Sequence, residues 1–293
     1  MTSATVPPPG RPAVGSRVTP PGGRGIAALF ADPAFRRIWM VGICSGTIRW
    51  LETLAVAVFV FERTGDAFLV ALMMFLRMVP MLLFGAVAGV VADRVSRKKL
   101  LIGGLGVLCT NSIVMGLLAL SGTIEIWHLA VGIFVSGIVW STEFPVRRTM
   151  MGEIAGMNRV GLAMGVDSAT SNATRMLGPT LGGVLLQFLQ LEGVYFVGTA
   201  FLATAIILAI PIRYSQAAAS AAASSFLSNL SGGFHYIRSR RVIVGVLTVT
   251  ILLNVLGFPF ISMLPVIGRD ELGLSPVLVG VLASAEGLGA LIA

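Results

Sequence analysis

Polar and apolar positions alternate along this chain in blocks, not residue by residue. Apolar stretches fall at about 38–61, 67–91, 100–121, 124–145, 161–189, 194–212 and 242–267, and short polar segments separate them. A hydrocarbon layer about 30 Å thick is crossed by about 20 apolar residues in a helix, so each block predicts one span. An eighth block opens near Pro276 and is unfinished at Ala293. The expected fold is all-α, a polytopic membrane helix bundle, because only helices or closed barrels satisfy their backbone groups within lipid.

Composition agrees with this pattern. Hydrophobic residues make up 56% of the 293 and charged residues 12%, against about 25% charged in a soluble domain. The net charge of +8 would suggest nucleic acid if it lay on a soluble surface, but here Lys and Arg sit in the short segments between apolar blocks. Arg36, Arg37, Arg94, Arg97, Lys98, Lys99, Arg147, Arg148, Arg159, Arg213 and Arg238 fall on one side, and only Arg63 and Arg269 on the other. The positive-inside rule then predicts a multi-pass cell-membrane protein with a cytoplasmic amino terminus, facing anionic lipid and no nucleic acid.

The same pattern predicts the organisation. Residues 1–34, rich in Pro and Gly and without a signal-like apolar core, read as a disordered cytoplasmic tail; 35–213 as a six-helix bundle; 214–241 as a cytoplasmic connector; and 242–293 as the start of a second bundle. Within the connector, Phe226, Leu227, Leu230, Phe234 and Ile237 fit either an interfacial helix or a plain linker. Laying Asp66–Met78 against Ser275–Gly287 gives a faint repeat that puts Arg77 opposite Glu286. Cys44 and Cys109, isolated in apolar blocks, read as packing residues.

Charges inside spans are the candidates for chemistry, since each costs at least about 2.5 kcal/mol at the bilayer centre. They are Arg49 and Glu52 in the first span, Arg77 in the second, Asp167 and Arg175 in the fifth, and Glu286 in the eighth. Together they outline a polar cavity for protons and a small-molecule substrate. Arg49 and Glu52, three apart, suit either mutual neutralisation or a proton-carrying role for Glu52. Asp167 suits either a transport role or an escape to the surface. Trp50 lies deep enough to line a cavity, and Met73, Met74, Met78 and Met81 suit packing or an adaptable apolar pocket.

Two motifs carry a family resemblance. The loop after the second span reads Gly89, Val91, Ala92, Asp93, Arg94, Ser96, Arg97, Lys98, Leu101, and the fifth span holds Gly178, Pro179, Gly182 and Gly183. The first resembles the signature loop of the major facilitator superfamily, with Ser96 in place of its second glycine. The second is similar to the Gly-Pro-x-x-Gly-Gly motif of its proton-coupled exporters, with Thr174 where an earlier glycine usually stands. Phe35-Arg36-Arg37-Ile38-Trp39 and Pro145-Val146-Arg147-Arg148 also resemble the branch holding the enterobactin exporter and drug efflux proteins.

The resemblance implies a secondary active transporter, a proton-coupled antiporter exporting a small organic molecule such as a drug or siderophore by alternating access. It also implies a gating latch at Gly89, Asp93, Arg94, Arg97 and Lys98. Family members have about twelve spans, so the chain reads as cut short in the eighth. The competing expectation is a truncated, non-transporting remnant or a regulatory membrane protein. An enzyme is not expected: HExxH and GxSxG are absent, and His128 and His235 fall on opposite sides. No cofactor or metal is expected.

Overall fold

The structure, a computed structural model, describes residues 24–214, 240–256 and 258–292, and every regular element among them is an α-helix. The order is α1 (Arg24–Ala31), α2 (Pro33–Thr64), α3 (Ala67–Arg94), α4 (Arg97–Leu120), α5 (Ile126–Ala155), α6 (Val160–Ala209), α7 (Arg241–Leu256), α8 (Phe258–Asp270) and α9 (Pro276–Ile292). Among the described residues, α2, α3, α4, α5 and α6 contain stretches long and apolar enough to cross a membrane.

Local chemistry sets the boundaries of α2. Asp32 accepts the Ala34 N–H at 2.8 Å, and Pro33 occupies the first turn, where its missing N–H costs nothing. At the other end Gly65 adopts φ 64° and donates to Phe61 O, a left-handed cap that a side chain would strain.

Helix α6 is two helices joined at Gln190, whose φ of 58° and ψ of −172° lie outside helical space. Residues 160–189 run alongside α2 in the same direction, with Gly46 against Thr174 and Leu51 against Gly182. Residues 191–209 return, with Gly198 against Ile48 and Arg37 donating to Pro211 O. The reversal falls between the two apolar blocks expected at 161–189 and 194–212.

Helix α2 is the spine, packed against both arms of α6 and against α5. Phe35, Ile38, Val41, Leu51 and Val56 on it are essentially fully buried. The start of α4, the ends of α5 and α6 and the start of α2 gather Arg37, Arg97, Lys98 and Arg213 at one end, called here the basic end. At the opposite end Arg269 of α8 pairs with Glu62 of α2. Leu82, Phe188 and Ile207 point outward and more than two-thirds exposed, as suits lipid contact.

Two expectations meet the structure differently. The stretch 24–34 is helical and not a free tail: Leu29 is buried, and the Phe30 ring stands edge-on to Phe35 and Trp39 at 5.5 and 4.8 Å. The apolar side chains after the Pro/Gly-rich segment give this piece something to bury. The expected seventh block, 242–267, is carried by α7 and α8, with Gly257 outside the described residues. Connector positions 215–239, with the candidate interfacial helix, also lie outside them.

Candidate functional site

Helix α5 carries Glu143 and Arg147 four residues apart, so both project from one face. Arg147 Nε lies 3.5 Å from Glu143 Oε1, and its Nη1 donates to Asp167 Oδ1 of α6 at 2.6 Å. Arg148 Nε reaches the other oxygen, Asp167 Oδ2, at 2.9 Å. Ser45 of α2 donates to Glu143 Oε1 at 3.3 Å. Glu143, Arg147 and Asp167 are all under 5% exposed, so this is a buried ionic chain spanning α2, α5 and α6. Charges so buried persist only when paired. Gly42 makes the room: a Cβ there would overlap the Arg147 guanidinium.

Next to this chain lies a cavity of about 40 Å³ bounded by α2, α3, α4, α5 and the second arm of α6. Its walls include Arg49, Glu52, Arg77, Asn111, Ser136, Trp140, Glu143 and Tyr195. One water needs roughly 10–15 Å³ by this measure, so the space suits a few waters. Arg77 Nη2 meets Glu52 Oε2 at 3.4 Å. Asn111 donates to Gly132 O at 3.3 Å and to Ser136 Oγ at 3.4 Å, tying α4 to α5.

The Arg49–Glu52 pairing considered from sequence does not form. Glu52 turns to Arg77 across the helix interface, and the Arg49 guanidinium lies over the rings of Trp140 at 5.1 Å and Phe144 at 5.7 Å. Aromatic faces attract a cation and are already desolvated, which favours this placement. Asp167 does not reach for the surface, because two guanidiniums hold it inside. Trp140, not Trp50, forms the cavity wall; Trp50 lies under the Arg175 guanidinium at 5.2 Å. Met78 and Met81 are exposed and do not line the cavity. The Glu286 side chain lies outside the described residues.

The Gly178–Gly183 segment serves two interfaces. A Cβ at Gly178 would come within 2.5 Å of Trp50 Cβ, and one at Gly182 within 2.5 Å of Leu51 O, so both face α2. Gly183 faces Pro276 O, and Pro179 O faces Gly280 of α9. Thr180 and Ser284 share a hydrogen bond of 2.8 Å between hydroxyls. The first arm of α6 is thus wedged between α2 and α9 at backbone distance.

At the basic end Arg97 Nη1 donates to Glu153 Oε1 at 2.6 Å and to the Tyr214 hydroxyl at 3.1 Å, and Tyr214 in turn donates to Glu153. Burial, with help from the Glu153 carboxylate, raises the Tyr214 phenol above its ordinary pKa. Lys98 Nζ donates to Ile210 O at 2.7 Å, capping the last turn of α6. The side chains of Asp93 and Arg94 lie outside the described residues, as do the surroundings of Gly89.

Glu143, Glu153 and Tyr214 were not singled out from sequence. Only Glu143 carries a local signal, its four-residue spacing from Arg147. Arg147, counted there among the surface cations, is 2% exposed. Among the described residues no three His, Cys, Asp or Glu side chains gather to hold a metal ion.

Residues 25–293 match the family described as transmembrane secretion effector. The chain is 26% identical over 250 residues to an uncharacterized MFS-type transporter of Bacillus subtilis, YfiS, covering 83% of this chain and 58% of that one. It is 19% identical over 260 residues to macrolide efflux protein A of Streptococcus pyogenes, covering 88% and 64%. To the staphyloferrin A transporter of Staphylococcus aureus it is 24% identical over 251 residues, covering 83% and 62%. The chain thus spans 58% to 64% of the lengths of these relatives. Its fold resembles that of the nucleoside transporter NupG, with a TM-score of 0.62 at 14% identity over 88% of this chain and 64% of that one.

Proposed function

The chain belongs to the transmembrane secretion effector family of MFS-type membrane proteins, and from that premise we propose that it works as a proton-coupled exporter of a small organic molecule. The observation that carries this reading is the buried chain Glu143–Arg147–Asp167–Arg148, set against a water-sized cavity. In this reading the buried Asp167 carboxylate, held by two guanidiniums, is a two-state element. Ionised, it clamps α5 to α6; protonated, it loses most of its attraction for Arg147 and lets the helices part.

In this reading Asp167 and Glu143 take and release the proton, and water in the cavity extends the path to Glu52. The close crossings at Gly178, Gly182 and Gly183 seal the bundle against leakage while α6 and α9 slide. The junction of α3 and α4, from Gly89 to Lys98, latches the cytoplasmic end, with Asp93 as its acid and Arg97 and Lys98 anchoring it to α5 and α6. The basic end faces the cytoplasm, the membrane is the cell membrane, and cargo crosses by alternating access between two bundles. Relatives named for macrolide efflux and staphyloferrin A transport favour a drug-like or siderophore-like cargo.

The test is cargo uptake into everted vesicles from cells expressing the protein, energised by an imposed pH gradient. Uptake that collapses with the gradient, and that fails in Asp167→Asn at normal protein levels, is the expected result. Uptake indifferent to both would overturn proton coupling.

A further inference from the structure

Two cations line the central cavity, Arg77 and Arg49, and their positions differ in kind. Arg77 meets Glu52, and the other carboxylate on the wall, Glu143, lies 3.5 Å from Arg147 behind it. Arg49 lines the cavity, yet among the described residues no carboxylate lies within ion-pair distance of it, and its buried Nε has no hydrogen-bond partner. Both carboxylates on the cavity wall are thus engaged by other guanidiniums, Glu52 by Arg77 and Glu143 by Arg147, and Arg49 is left without an ion pair among the described residues.

The way Arg49 is held leaves its chemistry available. Its guanidinium lies against the rings of Trp140 and Phe144. A ring face attracts the cation without supplying a hydrogen-bond acceptor, so the guanidinium N–H donors are not consumed by this contact and can bind an anion through two parallel hydrogen bonds. The adjoining wall adds a second donor: Ser136 Oγ accepts from Asn111, which leaves the Ser136 hydroxyl hydrogen to give. Ile48 and Leu108 make the rest of the nearby surface apolar.

We infer that Arg49 is the anion-binding residue of the central cavity, and that the exported molecule carries a carboxylate-sized anionic group that docks on it. This rests on the exporter reading. The 40 Å³ cavity admits such a head group, and a larger body enters only as the cavity widens. The same guanidinium chemistry also suits a small inorganic anion, so the test separates the two sources.

The experiment is thermal unfolding of the full chain in lipid nanodiscs, titrated with potassium acetate, potassium chloride or potassium gluconate at constant ionic strength. Gluconate is too bulky for the cavity and serves as the salt control. A saturable rise in midpoint with acetate over gluconate is expected for the wild type. In Arg49→Gln the apparent affinity should fall by about 10-fold or more, and Arg49→Lys, which keeps the charge without the planar fork, should fall between. Should Arg49→Gln fail to fold, the wild-type and Arg49→Lys titrations still decide.

Equal midpoints in acetate and gluconate, or an undiminished acetate response in Arg49→Gln, would overturn the inference. A response to chloride alone would assign the site to an inorganic ion and overturn its role in cargo binding. The two proposals fail separately. Acetate binding that depends on Arg49, without any proton-driven flux, sinks only the exporter reading, whereas proton-driven export unaffected by Arg49→Gln sinks only the anion site.

Discussion

Arg147 on α5 and Asp167 on α6 meet at 2.6 Å with both side chains 3% exposed, so neither charge has water to fall back on. Removing one partner strands the other. Arg147→Ala is expected to destabilise the protein by about 3–5 kcal/mol, and Asp167→Asn, which keeps an acceptor oxygen, by less. Thermal unfolding in nanodiscs measures both. Equal, negligible losses would mean that the pair is hydrated and not a clamp.

Helix contacts at backbone distance predict steric sensitivity. Gly183→Ala would drive a methyl group into Pro276 O and push α9 off α6, costing about 1–3 kcal/mol. Gly165→Ala, on the same arm with open space around it, should be neutral or slightly stabilising. The difference in melting midpoint between the two variants checks this, and identical midpoints would contradict the packing.

Gln190 makes the turn between the arms of α6 at φ 58° and ψ −172°, a conformation open mainly to glycine. A non-glycine residue held there stores roughly 1–3 kcal/mol. Gln190→Gly is expected to recover part of that strain and raise the unfolding midpoint. A lowered midpoint would show that the Gln190 side chain matters more than its backbone.

At the basic end the raised Tyr214 phenol makes a signed prediction about pH. Burial and the adjacent Glu153 carboxylate both favour the neutral form in the folded protein. Its contribution is therefore complete below the ordinary phenol value of about 10 and is lost as pH rises through the higher folded value. Tyr214→Phe should cost about 0.5–1.5 kcal/mol at neutral pH and flatten the alkaline fall in stability. Unfolding midpoints measured from pH 8 to 11 in both proteins, a range of roughly three units, test the slope.

Hydropathy alone placed the long helices α2 to α6, because lipid demands apolar length whatever packs against it. It also exposed Arg49, Glu52, Arg77 and Asp167, whose charges stand out within apolar blocks. What it left open was partnership. Whether Glu52 turns to Arg49 or to Arg77 depends on how α3 faces α2, which no local spacing encodes. Arg147 and Glu143 sit where the fourth block gives way to charge, so they read as a boundary although α5 carries them inside. Glu153 and Tyr214 meet across 61 positions of sequence. The helical start at residues 24–31 was masked by its Pro/Gly-rich surroundings, and its stability comes from Phe35 and Trp39.

The most direct measurement of the central claim is proton movement itself. The chain is reconstituted in liposomes loaded with a pH-sensitive dye, and cargo is added without an imposed gradient. The account predicts a cargo-dependent pH change inside the liposomes that is lost in Asp167→Asn and in Glu143→Gln. Cargo movement with no accompanying pH change, or a pH change that survives both substitutions, would contradict it.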